Sequence, residues 1–137
     1  MMQNKKFDEK KLIEAAQQAR EFAHARYSNF RVGAALLSKD GRIITGSNVE
    51  SSSYGLTICA ERVALTKALS EGIEEFTAIA IVARDGAFTP PCGACRQLLF
   101  DYAPDIEVLL TDGKAFQKFK LKDLLPHAFD ESNLGEK

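Results

Sequence analysis

The sequence predicts an α/β protein built on one mixed five-stranded sheet covered by helices. Three observations predict it. Apolar periodicities follow the order α-β-β-α-β-α-β-β along the chain. Two extended runs flank Lys39-Asp40-Gly41, the signature of an antiparallel hairpin. A strand, a helix and a second strand then lie between Thr77 and Thr111, the pattern of a parallel crossover.

The elements follow in order. FDEKKLIEAAQQAREFAHAR, residues 7–26, reads as an amphipathic helix, because Leu12, Ala16, Ala19 and Ala23 recur on one face with Ile13 and Phe22 beside them. The turn-forming cluster YSNF ends it. RVGAALLSKDGRIITGSN gives the hairpin, and the polar, Ser-rich stretch VESSSYGLTI gives a loop of the kind that carries function. CAERVALTKALSEG is a second helix with Gly72 at its C-terminal end. The continuous apolar run FTAIAIVA suits a strand buried on both faces. Pro90 and Pro91 break the chain before a third helix, GACRQLLFDYA; IEVLLTDGKAFQKFKL then gives a strand, an Asp-Gly turn and a last strand. KLKDLLPHAF closes the domain, and residues 130–137 are expected to fray. With no linker, repeat or low-complexity tract, residues 1–137 are expected to form one domain.

Composition excludes several classes of function. Apolar residues make up 45% and charged residues 27% of the 137, an ordinary balance for a globular protein with a sizeable core. The formal net charge of −1 offers no basic track for a nucleic-acid polymer and no cationic face for a membrane. No apolar run reaches membrane-spanning length, and MMQNKKFDEK lacks the apolar stretch of a secretory signal. Three cysteines, an odd number, do not form a disulfide framework, so the expected location is the reducing cytoplasm.

Those cysteines carry the chemistry. Cys59 opens the second helix, Cys92 precedes the third, and Cys95 falls in its first turn. Helix N-termini favour thiolates through unpaired N–H groups and the dipole. If the two ends converge, three thiolates surround one point, which suits a tetrahedral zinc with its fourth corner open. Such a cluster is negative overall and needs a cation, which CAER supplies as Arg62 and CRQ as Arg96. Zinc lowers the pKa of a bound water toward ~7, and Glu61, two residues from Cys59, is placed to carry its proton. Each feature also has a plainer reading. CGAC after a strand fits a thioredoxin-like redox pair, Cys59 a small buried apolar residue, and Glu61 a solvated first-turn carboxylate. A structural zinc would need a fourth ligand from His24 or His127.

CAER followed about 30 residues later by PCGACRQ matches the zinc-deaminase pattern of C/H-x-E and P-C-x-x-C. The sequence resembles the small, all-cysteine cytidine deaminases of the cytidine/deoxycytidylate deaminase family. The likeness runs from Leu12 to Phe129 and includes YSNFRVGAAL, GSNVESSSYG, TICAERVAL, PPCGACRQ and DLLPHAF. It implies a three-layer α/β/α fold, one Zn²⁺ per chain, and hydrolytic deamination of cytidine and 2′-deoxycytidine. By resemblance Cys59, Cys92 and Cys95 are the zinc ligands, Glu61 the proton shuttle and Arg62 the counter-charge to the thiolates. Ala60 matches a residue whose backbone holds the pyrimidine, Phe30 an aromatic packed on the base, and Asn48 with Glu50 the pair that binds the ribose 3′-hydroxyl. Tyr54 and Phe129 match residues that reach a neighbouring subunit's site, within a homotetramer that shares its active sites. Ser51 and Ser52 stand where many relatives have small apolar residues or asparagine, and Ser47 replaces a frequent cysteine.

Three other functions compete. A deaminase of a modified cytosine nucleoside shares the chemistry, but those relatives lack the glutamate that is present here as Glu50. A redox protein explains CGAC but not CAER. A non-catalytic zinc module explains the cysteines but not Glu61.

Overall fold

The computed structural model of the protein describes residues 7–135; residues 1–6 and 136–137 of the expected domain lie outside that range. The elements are α1 (Glu9–Arg20), β1 (Gly33–Ser38), β2 (Ile43–Ser47), α2 (Ala60–Ser70), β3 (Phe76–Val82), α3 (Gly93–Tyr102), β4 (Glu107–Thr111), β5 (Phe116–Lys120) and α4 (Leu121–Leu124). Short 3-10 turns occupy Tyr54–Leu56 and Glu131–Leu134. The sheet order is β2-β1-β3-β4-β5, with β3 and β4 parallel and the other neighbours antiparallel. This is the expected mixed five-stranded sheet, and α3 is the crossover between its parallel pair.

Side-chain alternation along the strands divides the interior into two cores. On one face Ala34, Leu36, Ile79, Ile81, Val108 and Leu110 pack with residues of α2, α3 and α4. On the other, Ala35, Leu37, Ala78, Ala80, Val82 and Leu109 pack against Leu12, Ile13 and Ala16 of α1. The result is three layers, α/β/α. Two glycines set how closely the layers approach. A Cβ on Gly33 would lie 2.1 Å from Ala16 O, and one on Gly46 would lie 2.5 Å from Ala60 O and 2.6 Å from Ala64 N. In both places helix backbone rests on strand backbone with no room for a methyl group.

The helix ends follow local chemistry. The Asp8 carboxylate accepts from Lys11 N at 3.1 Å and caps α1. Gly72, at φ +86°, ends α2: its N–H donates to Leu69 O and Ile73 N–H to Ala68 O, both at 3.0 Å. This is a Schellman closure, with buried Ile73 as its apolar contact.

One expectation is corrected. The first helix ends at Arg20, not near residue 26. Ala23 is buried, as the helical stripe requires, but Ala25 is buried as well, the two-residue alternation of an extended chain, while Phe22, expected beside the stripe, is exposed. His24 N donates to Asn48 O at 2.8 Å and Glu50 N to His24 O at 3.0 Å, so a short parallel bridge to Val49 replaces the last helical turns. Within the tail expected to fray, Asp130 accepts from Ser132 N and the Asn133 side chain accepts from Asp130 N, closing a capping box on the Glu131–Leu134 turn.

Register brings the site loops together. Gly33 pairs with both Ser47 and Val82, and Val82 pairs with Thr111. The segments before β1, after β2 and after β3 therefore all leave from one end of the sheet, at the carboxyl ends of the parallel pair, where open α/β sheets gather ligands. Gly46→Ala should cost ~1–3 kcal/mol of stability through overpacking. It should also weaken metal retention, because the atoms displaced belong to the first turn of α2. Gly33→Ala, which presses on α1 instead, should cost stability but spare metal content. Denaturant unfolding and metal analysis of the two variants separate these effects; equal metal retention would show that α2 absorbs the added methyl elsewhere.

Candidate active site

The two helix starts meet at this end of the sheet. Cys59 is the N-cap of α2 and Cys92 the N-cap of α3; both have extended backbone, and neither uses its side chain as a cap. Cys95 lies in the first turn of α3 and is fully buried. The three Sγ atoms lie within 4.8 Å of one another, with Cys59–Cys92 at 3.9 Å and Cys92–Cys95 at 3.5 Å. All three thiols are free. Zn–S bonds of about 2.3 Å in a tetrahedron put sulfurs about 3.8 Å apart, so this donor set fits zinc with little movement. Neither His24 nor His127 belongs to the cluster. Three protein donors leave one tetrahedral position open, the pattern of a catalytic rather than a structural site.

The charge arrangement supports the same reading. Arg62 Nη2 lies 3.6 Å from Cys59 Sγ and donates to Thr57 O at 3.3 Å. Arg62 Nε is buried with no hydrogen-bond partner among the described residues, so the guanidinium is poised to satisfy further charge on the sulfurs. Cys59 is pushed down to about 5, first by the hydrogen bond from Cys95 and then by Arg62. Cys95, on the donating side, is pushed up. Of the two arginines expected to offset the thiolates, Arg62 does so. Arg96 is engaged elsewhere, donating to Pro91 O at 2.8 Å and Leu124 O at 2.7 Å, and it ties α3 to α4.

Glu61 is buried in the first turn of α2, next to the fully buried Ala60. Loss of solvent raises its pKa to about 7; the neighbouring Cys59 adds to the shift and Arg62 opposes it. A carboxyl group in that range accepts and releases protons readily near neutrality. The plain reading of Glu61 as a solvated first-turn glutamate is therefore set aside by its burial.

Of the remaining expected residues, Phe30 lines one cleft and Glu50 with Tyr54 another, and neither cleft is lined by the thiols or Glu61. Asn48 is buried; its Oδ1 accepts from Val32 N at 2.9 Å and its Nδ2 donates to Phe30 O at 2.8 Å. Glu50 accepts from Tyr27 N and Ser28 N, each at 3.0 Å, and from the Ser28 hydroxyl. Phe30 is half-buried beneath the Arg84 guanidinium, 5.4 Å from its ring centroid, a cation–π distance. It lines an open cleft of about 550 Å³ with Arg20, Arg31 and Arg84. Glu50 and Tyr54 line a second cleft of about 430 Å³ with Tyr27, Ser28, Ser51 and Thr57. Tyr54 is 79% and Phe129 57% exposed. Phe129 sits on the C-terminal segment, where its carbonyl accepts from Gln97 Nε2 at 2.9 Å.

Sequence reasoning passed over Ser28, Arg84 and Gln97. Ser28 alone left a trace, lying two residues before Phe30 in a turn-like cluster, where its hydroxyl accepts from Phe30 N at 3.0 Å.

The family model for the cytidine and deoxycytidylate deaminase zinc-binding region matches residues 6–110, a range that includes all three thiols and Glu61. The chain belongs to this family. It is 49% identical over 131 residues to the cytidine deaminase of Halalkalibacterium halodurans, covering 94% of this chain and 99% of that one. It is 44% identical over 130 residues to the cytidine deaminase of Sporosarcina psychrophila, covering 93% and 96% respectively. The crystal structure of cytidine deaminase from Burkholderia pseudomallei superposes with a TM-score of 0.86 at 49% identity, covering 90% of this chain and 100% of that one. Family membership and the three-sulfur cluster together make the cofactor zinc, and the redox reading of CGAC is set aside.

Replacing Cys59 or Cys95 with Ala should lose zinc and lower stability, since the metal couples two helix ends. Arg62→Gln should retain zinc but lower activity. Metal analysis after gel filtration checks both; full zinc occupancy in Cys59→Ala would remove that thiol from the ligand set.

Proposed function

We propose that the protein hydrolytically deaminates cytidine and 2′-deoxycytidine, releasing uridine or 2′-deoxyuridine and ammonia, and that it acts in pyrimidine salvage. The observation that carries this reading is the convergence of three thiols beside a buried Glu61, in a chain of the deaminase family. Zinc, when held by Cys59, Cys92 and Cys95, supplies the Lewis acid that makes water a nucleophile near neutral pH.

The chain's own residues do the rest. Glu61 relays the two protons of the attacking water in turn at its carboxylate, the first to pyrimidine N3 and the second to the departing amine. Arg62 holds the thiolate charge in check. The Ala60 backbone, at the start of α2, lies against the pyrimidine, and Phe30 packs on the ring. Asn48 and Glu50 bind the ribose 3′-hydroxyl; a carboxylate facing a 430 Å³ cleft suits one sugar-sized polyol. The formal net charge of −1 favours a free nucleoside over a polynucleotide.

Tyr54 and Phe129 complete a neighbour's site in a homotetramer with shared active sites. Tyr54, Leu56, Phe129 and Leu134 are all large apolar side chains left exposed on this single chain, which supports that assembly. The chain functions as one domain, and a cytoplasmic location suits a reduced thiol cluster. No helix among the described residues is long and apolar enough to cross a membrane.

The decisive assay follows the loss of cytidine absorbance with and without a chelator. Turnover that persists after zinc removal would overturn the proposal. Glu61→Gln should keep fold and zinc while losing ~10²-fold or more in turnover; near-normal activity would place proton transfer elsewhere. Phe129→Ala should weaken cytidine binding roughly three- to tenfold, in line with the loss of one aromatic contact, and should keep one zinc per chain. Titration together with sedimentation tests this, and unchanged KM and mass would leave Phe129 as packing of its own segment.

A further inference from the structure

Ser28 belongs to neither the metal cluster nor any expected set of binding residues, yet its hydroxyl joins two of those sets. It donates to Glu50 Oε2 and accepts from Phe30 N at 3.0 Å. Its backbone N–H and that of Tyr27 both donate to Glu50 Oε1 at 3.0 Å. Phe30 is then gripped from its other side, where its carbonyl accepts from Asn48 Nδ2 at 2.8 Å. Residues separated by about 20 positions thus form one hydrogen-bonded unit, to which Ser28 contributes its side-chain hydroxyl.

The inventory of donors and acceptors gives the unit a function. An ionised carboxylate offers about four acceptor sites. Tyr27 N, Ser28 N and Ser28 Oγ–H take three of them, so one remains on the Glu50 carboxylate for a ligand hydroxyl. That carboxylate lines the 430 Å³ cleft with Tyr54 and Thr57. The two backbone donors fix Oε1, whereas the plane of the carboxylate, and so the direction of the open site on Oε2, is fixed by the Ser28 hydroxyl. The same bond is the largest contributor holding the Glu50 carboxyl below its ordinary pKa, so the group is an anion and an acceptor only.

We infer that Ser28 is the positioning residue for sugar recognition: through one hydroxyl it aims the Glu50 carboxylate at the 3′-hydroxyl of the nucleoside and sets the backbone that places Phe30. This inference rests on the reading of Glu50 as a ribose contact. Losing the hydroxyl leaves Glu50 in place and charged but free to rotate about its Oε1 anchor. Any shift of Phe30 would weaken cytidine and its 3′-deoxy analogue alike. A swinging Glu50 would weaken cytidine alone.

The test compares kcat/KM for cytidine and 3′-deoxycytidine in wild type, Ser28→Ala and Ser28→Thr, with zinc content and thermal unfolding measured on each. Wild type should prefer cytidine roughly ten- to hundredfold, as for one hydrogen bond to a charged group. In Ser28→Ala the preference should shrink to within about threefold, through a rise in KM for cytidine and not through kcat, with one zinc per chain retained. Ser28→Thr, which keeps the hydroxyl, should restore it. A Ser28→Ala enzyme that keeps the wild-type preference overturns the inference while leaving Glu50 as a ribose contact. A wild type that does not distinguish the two nucleosides overturns the ribose reading itself, and the inference with it. If Ser28→Ala fails to fold, Ser28→Cys, similar in size but a weak donor, takes its place under the same criteria.

Discussion

A metal held by sulfurs from two distant stretches of chain requires two helices to begin at the same place, and most of this fold serves that meeting. Cys59 and Cys92 are 33 residues apart, yet each is the residue on which a helix starts. α2 reaches the point because Gly46 lets its first turn lie directly on β2. α3 reaches it because β3 ends there, beside the start of β1 and the end of β2. Using cysteine as the N-cap has a further effect. Serine or aspartate would turn its side chain back to bond the first-turn N–H groups; these thiols make no such bond and remain available to a metal, while the helix ends favour their ionised form.

The proposed sugar-binding cleft is built differently. Asn48 and Glu50 lie in a segment with little regular structure, and the loop from Tyr27 to Val32 is tied to it almost entirely by their side chains. The groups proposed to read the sugar are therefore also those that hold the wall of the cleft. This double use makes the recognition surface rigid without a surrounding core. It also means that a substitution at Asn48 removes a proposed sugar contact and the bond to Phe30 O together.

The sequence was most legible where a residue acts through its own backbone. Asp40-Gly41 marked the hairpin, Gly72 the end of α2, and the unbroken apolar run of β3 a strand buried on both faces. It was least legible where a distant partner decides. Ala23 continues the helical stripe of α1, and the bonds of His24 to Asn48 and Glu50 make that segment extended instead. Arg62 and Arg96 were equivalent candidates for offsetting the thiolates, and their separation depends on Pro91 and Leu124 presenting carbonyls to Arg96. Ser28 showed only as part of a turn-like cluster; its bond to Glu50 was hidden because that partner lies 22 positions away. The thiols themselves had the right spacing for zinc, but spacing alone also suited a redox pair; what excludes that reading is the third sulfur arriving from α2.

The order of residues at the start of α2 solves an electrostatic problem. A buried carboxyl group beside thiolates is disfavoured as an anion twice over, by lost hydration and by like charge. Left alone it would stay protonated and could not accept a proton. Arg62 follows immediately and lies against Cys59, so the negative field at Glu61 is partly cancelled from within the same turn. The proposed ligand, backbone contact, proton carrier and counter-charge are thus four consecutive residues, Cys59 to Arg62. Their relative positions are set by one helical turn, and that turn is in turn fixed by Gly46 beneath it.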